Sequence, residues 1–456
     1  MAAPKVVLLS TYELGRQPFG LASPSAWLRR AGAVVTCLDL AVQRLDEETI
    51  RAADLVAFYV PMHTATRLAS ALVSRVKALN PRAHLSFYGL YAPVNEGYLR
   101  SLGAETILGG EFEAGLVSLL ARLPGGANRD GQPQPVISLA RQKFLVPDRS
   151  DLESLSRYAS LILNGEKRTV GYTEASRGCK HLCRHCPVVP VYGGQFRIVQ
   201  REVVLEDIRR QVAAGAEHIT FGDPDFLNGI GHSLAIVKAF RDEFPHITYD
   251  VTSKIEHLLK HATHLPALRD TGCLFVTSAV ESLDDRVLAL LDKGHTRKDF
   301  EEVVRLFREV GLTLAPTFVP FTPWISLEGY LELLAALAEM DLVEHVAPIQ
   351  LAIRLLIPAG SRLLELREMR DLALGFDDAL LSYRWRHPDP RVDRLQAGLQ
   401  ELVRQEEAAG AGRREIFGKV WLLAEEAAGK PCRPLVEKPL GPARMPIPFM
   451  TEPWFC

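Results

Sequence analysis

The 456-residue sequence predicts an α/β protein in which two successive parallel β/α series are followed by a helical extension. Three observations predict it. Over the first ~120 residues, apolar runs of strand length alternate with amphipathic stretches. The same alternation restarts at Tyr172. Between the two lies LPGGANRDGQPQP (123–135), a run of turn and linker residues.

In the first series, KVVLLS (5–10), VVTCLDL (34–40), DLVAFYVP (54–61), HLSFYGL (84–90) and AETILGG (104–110) read as strands. PSAWLRRAG, ATRLASALVSRVKALN and NEGYLRSLG read as the helices between them. Short β-branched runs separated by helices imply a parallel sheet covered on both faces. Ligands bind such sheets beyond the carboxyl ends of the strands, here the loops 10–20, 61–66 and 89–93.

In the second series the expected strands are YTEAS (172–176), HITFGD (218–223), TYDVTS (248–253), LFVTSAV (274–280), LTLAPTFV (312–319) and IQLAIRLLI (349–357). Helical segments at 201–214, 232–243, 298–309 and 326–340 separate them. Six such units suit a partial (β/α)6 barrel with its chemistry at the carboxyl ends of the strands. The expected organisation is a first domain over 1–122, a bridge over 123–168, the barrel over 169–365 and a helical region with a Pro-rich tail over 366–456.

Lys+Arg 53 against Asp+Glu 55 leaves a net charge of −2, which argues against nucleic acid and anionic membrane as partners. No apolar run approaches the ~20 residues of a membrane span. The opening MAAPKVVLLS reads as a strand rather than a signal peptide. The seven cysteines are an odd set with a single tight cluster, which favours metal binding in a reducing cytoplasm over a disulfide framework. Cys37 and Cys273 read as small buried hydrophobes.

That cluster, EASRGCKHLCRHCPVVPVYGG (174–194), places Cys179, Cys183 and Cys186 on one loop. Three thiolates serve either of two metals. A structural zinc needs four ligands, and His181 or His185 could complete the set. A four-iron cluster held by three cysteines leaves one iron open. No second C-x2-C unit lies nearby, so the histidines read as loop polars and the cluster is favoured. The loop follows the first strand of the second series, at the mouth of the barrel.

Here the chain resembles the radical S-adenosylmethionine superfamily, whose cysteine triad occupies that loop. The resemblance implies a 4Fe-4S cluster, S-adenosylmethionine as cofactor and an external electron donor such as a flavodoxin or ferredoxin. In FGDPDF (221–226), Gly222 and Asp223 stand where the superfamily contacts the methionine amino group. Asp223 and Asp225 equally suit turn positions. In LFVTSAVES (274–282), Glu281 keeps the acid of a ribose-contacting pattern, with Ser278 where relatives carry glycine; Glu281 also suits a helix cap. VLALLDKGHT (287–296) resembles the segment that commonly follows. Arg354 and Lys254 are further expected cofactor contacts, each with a structural alternative.

A parallel domain ahead of such a barrel resembles the cobalamin-binding domain of the cobalamin-linked radical enzymes. The match departs at the first loop, where Glu13 stands in place of a cobalt-ligating histidine. His63 could approach a corrin or cap its helix; Gly89 stands where a glycine pair is expected. The tail MTEPWFC (450–456) resembles that of a radical subfamily ending in Cys-Cys-Ala-Glu-Pro or its selenocysteine form. That implies a native chain continuing past Cys456 as a selenoprotein, with Cys456 as a redox group or ligand and Cys432 assisting. The expected function is hydrogen abstraction from an unactivated carbon of a small-molecule substrate, with methyl transfer from cobalamin. Cobalamin-independent rearrangement, transfer of another S-adenosylmethionine fragment to a metalloid, and a non-enzymatic metal-binding module are the alternatives.

Overall fold

The computed structural model describes residues 3–123, 134–431 and 447–452. Cys432 and Cys456, on which the tail expectations rest, lie outside them.

The amino-terminal sheet forms where the apolar runs lie. Its strands are β1 (Lys5–Ser10), β2 (Val34–Asp39), β3 (Leu55–Tyr59), β4 (His84–Tyr88) and β5 (Thr106–Gly110), extended by the short β6 (Ile137–Ser138). All run parallel in the order β2-β1-β3-β4-β5-β6. Alternate residues bury opposite faces: Val6, Leu8, Leu55 and Ala57 on one, Val7, Leu9, Val56 and Phe58 on the other. The strand order reverses between β1 and β3, which sets the loops after these two strands at the switch point.

The second sheet contains β7 (Ser160–Leu163), β8 (Glu166–Thr173), β11 (His218–Phe221), β12 (Thr248–Thr252), β13 (Cys273–Glu281) and β14 (Thr313–Phe318). Strands β8 and β11 to β14 are parallel; β7 turns back antiparallel on β8. Between β8 and β11, β9 (Ser176–Gly178) and β10 (Phe196–Ile198) form an antiparallel clasp. Period-two patterning assigns the faces. Ile219, Phe221, Tyr249, Val251, Val276, Val280, Leu314 and Phe318 pack under the helices, while His218, Thr220 and Asp250 face inward. There Asp250 accepts from His218 Nε2 at 2.9 Å and Thr220 Oγ1 at 2.6 Å, so the buried inner polar set is satisfied.

The expected sixth strand, 349–357, does not form. Pro348–Leu351 is a 3-10 turn, and one parallel bridge, Phe321 to Arg354, remains. Gln350 Oε1 accepts the Phe318 N–H at 3.0 Å, and Gln396 donates to the Ala352 carbonyl at 3.0 Å. Side chains thus take backbone groups that a strand ladder would use. The barrel is therefore an open half-barrel. Beyond it, helices Pro390–Ala408 and Arg413–Ala427 match the helical reading, but a hairpin of β15 (Ala373–Asp377) and β16 (Ser382–Trp385) precedes them.

The tail returns to the second sheet. Strand β17 (Phe449–Met450) pairs antiparallel with β7, and Tyr12 Oη donates to Glu452 Oε1 at 2.8 Å. The two sheets meet at Arg177 on β9. Its guanidinium reaches Glu174 at 2.7 Å, Glu113 at 2.8 Å and Glu111 at 3.5 Å, Glu111 lying in the loop after β5 and Glu113 opening the helix that follows.

The helix Phe19–Arg30 is seated tightly over the switch point. Tyr88 Oη donates to the Gly20 carbonyl at 2.8 Å, and a Cβ on Gly20 would fall 2.1 Å from the Tyr59 ring. Gly20→Ala is expected to destabilise the protein by about 1–3 kcal/mol, the usual cost of overpacking, measured by urea unfolding. Unchanged stability would show that Tyr59 moves freely.

Candidate active site

The cysteine loop, residues 179–195, is a 17-residue excursion between β9 and β10, and its shape begins at a glycine.

 Gly178 has φ +77°, and a Cβ there would fall 2.4 Å from the Tyr192 ring and 2.5 Å from the Gln195 carbonyl oxygen. The loop is then fastened at several points. Lys180 donates to Asn228, by its backbone N–H to the side chain (3.2 Å) and by Nζ to the carbonyl (2.5 Å). The Arg184 N–H reaches the Leu291 carbonyl at 2.9 Å, and its guanidinium caps Ala289 and Leu290 at the end of helix Asp285–Leu291. Arg362 donates to Leu182 and Ser361 to Arg184 from beyond the barrel.

This fastening brings Cys179 and Cys183 into buried positions and leaves Cys186 half-buried, against Val188, Val191 and Tyr192. Burial pushes the Cys186 thiol up to about 12 and raises Cys179 as well. Burial thus disfavours the thiolate at Cys179 and Cys186, and a metal that binds there displaces their protons. A set of three soft donors at the mouth of the half-barrel fits a four-iron cluster with one open iron.

The histidines are not incidental loop polars. Both are held by carboxylates. His181 lies 3.5 Å from Asp225 and 3.3 Å from Glu256, and His185 Nε2 lies 3.1 Å from Glu281 Oε1. Ligand atoms of Cys179, His181 and Asp225 all fall within 4.8 Å of one another, a possible metal set that uses one cysteine of the three. Asp225 is already occupied: it accepts from Ser253 Oγ at 2.8 Å and meets His257 Nδ1 at 2.7 Å. Burial raises its pKa, but hydrogen bonds from His181 and His257 outweigh that and leave it at about 2.

Several expected cofactor contacts turn inward. A Cβ on Gly222 would fall 1.8 Å from Tyr172 Oη, so the missing side chain makes room for a tyrosine. Asp223 accepts from the Ala175 N–H (2.9 Å) and Ser176 Oγ (2.5 Å), which anchors the start of the cysteine loop. Ser278 is fully buried on the strand face shared by Val276 and Val280, under the helices rather than inside the half-barrel. Arg354 pairs with Asp393 at 2.6 Å and stacks 3.5 Å from the Trp385 ring centroid. Glu281, at φ +69°, pairs with Lys293 at 3.2 Å as well as with His185. Burial raises the Glu281 pKa, yet the Lys293 charge and the His185 hydrogen bond bring it to about 2. Asp284, not Glu281, caps the following helix. Lys254 is buried at the end of β12, 3.4 Å from Glu256.

Ser278 Oγ and His185 Nδ1 are unpartnered, and further unpartnered atoms lie at the same mouth. Asn228 Nδ2, both ring nitrogens of His295, Thr322 Oγ1 and Trp324 Nε1 are buried without a hydrogen-bond partner. They follow β11, β13 and β14. Burial and the charges of Lys293 and Lys254 lower His295 to about 4, so its ring is neutral. Unpartnered polar atoms gathered at strand ends are groups that a polar ligand would satisfy. Sequence reasoning singled out none of the four as a cofactor contact: His295 lies in VLALLDKGHT, Asn228 in HITFGDPDFLNG, and Thr322 and Trp324 in PTFVPFTPW, stretches whose likeness to the family gives these residues no role.

At the amino-terminal switch point, Glu13 is buried with Oε2 unpartnered, and burial followed by the Glu174 charge raises its pKa well above the usual range. A protonated carboxyl is a poor cobalt ligand. His63 does not cap its helix through its side chain; its Nε2 lies 2.5 Å from the Leu380 carbonyl oxygen. The loop thus fits cobalamin only without a protein ligand from Glu13 or His63. Cys37 and Cys273 are buried in the two cores.

Burial pushes Asp223 up to about 7, against the opposing hydrogen bonds from Ser176 and Ala175. The folded state therefore holds this proton between about pH 4, the unfolded carboxyl value, and 7. Its contribution to stability is complete below about pH 4 and is lost as pH rises through 7. Asp223→Asn is expected to flatten stability between these limits, read from chemical denaturation at a series of pH values. An unchanged pH profile would show that Asp223 is ionised in the fold.

Comparison with known proteins places this geometry. Residues 173–334 match the radical SAM superfamily. The hopanoid C-3 methylase of Methylococcus capsulatus is 24% identical over 334 residues, covering 70% of this chain and 64% of that protein. The chain thus spans somewhat less than two thirds of that relative's length. Among solved structures, the cobalamin-dependent S-adenosylmethionine radical enzyme OxsB superposes with a TM-score of 0.68 at 14% identity, covering 89% of this chain and 67% of that one. The radical S-adenosylmethionine methyltransferase TsrM from Kitasatospora setae gives 0.61 at 15% identity, covering 93% and 99%. Residues 173–334 thus match the radical SAM superfamily, within a chain that shares the fold of OxsB and TsrM.

Proposed function

We propose that the protein is a radical S-adenosylmethionine enzyme that transfers a methyl group to an unactivated carbon of a small molecule. The observation that carries this reading is the convergence of Cys179, Cys183 and Cys186 at the half-barrel mouth, with both neighbouring histidines held by carboxylates. When bound, the cluster with S-adenosylmethionine supplies a 5′-deoxyadenosyl radical, and methylcobalamin supplies the methyl group.

This chain's residues do the positioning. The three cysteines hold the cluster and release their protons to do so. Asn228, His295, Thr322 and Trp324 offer unmet hydrogen-bonding groups to S-adenosylmethionine, and the charge of Lys254 acts on His295. The loops after β1 and β3 would receive cobalamin, as the OxsB and TsrM folds support. The electron comes from an external carrier of the flavodoxin or ferredoxin class in a reducing cytoplasm. Radical chemistry without methylcobalamin is the second reading. It is favoured by Glu13, which puts a buried carboxyl where a cobalt ligand would stand.

Anaerobic reconstitution of the full chain tests the proposal. About four irons per chain are expected, together with reductive cleavage of S-adenosylmethionine to 5′-deoxyadenosine. Replacing the three cysteines by alanine is expected to abolish both, with the fold retained by circular dichroism. Stable zinc without iron would overturn the reading. Methyl transfer that depends on added cobalamin selects the first reading over the second.

A further inference from the structure

The group that faces the cysteine loop from the end of the helix Asp285–Leu291 is a lysine. The helix ends at Asp292 in the left-handed conformation (φ +57°), and this turn carries Lys293 inward, where it is 2% exposed. Lys293 Nζ lies 3.2 Å from Glu281 Oε1, and the same oxygen lies 3.1 Å from His185 Nε2. His185 stands between Cys183 and Cys186, and the neighbouring Arg184 N–H is bonded to the Leu291 carbonyl at 2.9 Å. The ammonium is close enough to interact electrostatically with both Cys183 and Cys186.

A buried lysine needs a reason to stay charged. Burial alone would lower its pKa; the Glu281 charge and hydrogen bond outweigh this and raise it. Glu281 needs one as well, since its backbone is held at φ +69°, which is uncommon for a residue with a side chain. The pair stores one positive and one negative charge at a low-dielectric position beside the sulfurs, where charges act strongly.

We propose that Lys293 and Glu281 are positioning residues that set the reduction potential of the cluster: the lysine favours the added electron and the glutamate opposes it. The proposal rests on the reading that the three cysteines hold a four-iron cluster. Reduction adds one electron, and hence one negative charge, from an external one-electron donor, with no proton required. The ammonium of Lys293 stabilises that charge. Glu281 holds the ammonium in place and disfavours the electron by its own charge. His185 transmits the arrangement to the loop.

The test is a redox titration of the anaerobically reconstituted full chain, followed by electron paramagnetic resonance, with iron counted in each sample. Lys293→Gln is expected to lower the midpoint by about 59 mV, a tenfold fall in the reduced-to-oxidised ratio at fixed potential for a one-electron couple. Glu281→Gln is expected to raise it. The double variant returns towards the parent value, and Lys293→Arg stays close to it. A merely structural pair would lose iron in both single variants without opposite shifts. Single variants that retain iron and move together, or not at all, would overturn the proposal. If Lys293→Gln fails to load, the upward shift in Glu281→Gln still decides it. A parent chain that binds no iron would instead overturn the cluster reading.

Discussion

One buried guanidinium joins the two halves of the protein. Arg177 lies on β9, two residues before Cys179, and is 7% exposed. It is shared by Glu174 from the barrel and by Glu111 and Glu113, which follow β5 in the amino-terminal domain. Three carboxylates around one cation would repel one another if all were ionised. Burial pushes Glu111 up to about 7 and raises Glu174, while Glu113, held by the Arg177 charge and also accepting from Ser23 and Gln142, falls below the usual range despite its burial. A protonated carboxyl relieves the crowding. Removing the arginine would leave buried acids without a cation, which typically costs about 3–5 kcal/mol. The position of the cysteine loop therefore depends on the amino-terminal domain, whatever that domain binds.

Much of the fold was legible because buried parallel strands leave a strong mark. KVVLLS and LFVTSAV are uninterrupted apolar or small-residue runs of strand length, and they fold as β1 and β13. The run at 349–357 carries a similar composition and fails, because its pairing partners were already engaged. Gln350 and Gln396 take the backbone groups in question. No pattern within that run announces a hydrogen bond from a side chain 44 residues away, as Gln396 makes to Ala352. The hairpin β15–β16 was missed for the same reason: it is fixed by packing of Trp385 and Tyr383 on Leu355 and Ile357, not by its own periodicity.

The candidate site was legible in its cysteines and less so in the residues around them. Thiols at short spacing state their chemistry directly. Motif positions such as Gly222, Asp223 and Ser278 lie near the right strands, but strand-face parity and tight packing decide which way each one points. Gly222 yields space to Tyr172, Asp223 ties down Ala175 and Ser176, and Ser278 faces the helices. The histidines were undervalued because their partners, Asp225, Glu256 and Glu281, come from other strand ends.

The polar atoms left unmet at Asn228, His295, Thr322 and Trp324 also bear on the thermodynamics of the whole chain. Each was taken out of water on folding with no hydrogen bond in return, a debt of roughly 1–3 kcal/mol per group. A ligand that satisfies them binds the native chain and not the unfolded one. At a hundredfold excess over its dissociation constant it would stabilise the fold by about 2.7 kcal/mol. The melting temperature then becomes a reporter of occupancy that needs neither iron nor turnover, and compounds can be ranked on the protein in air.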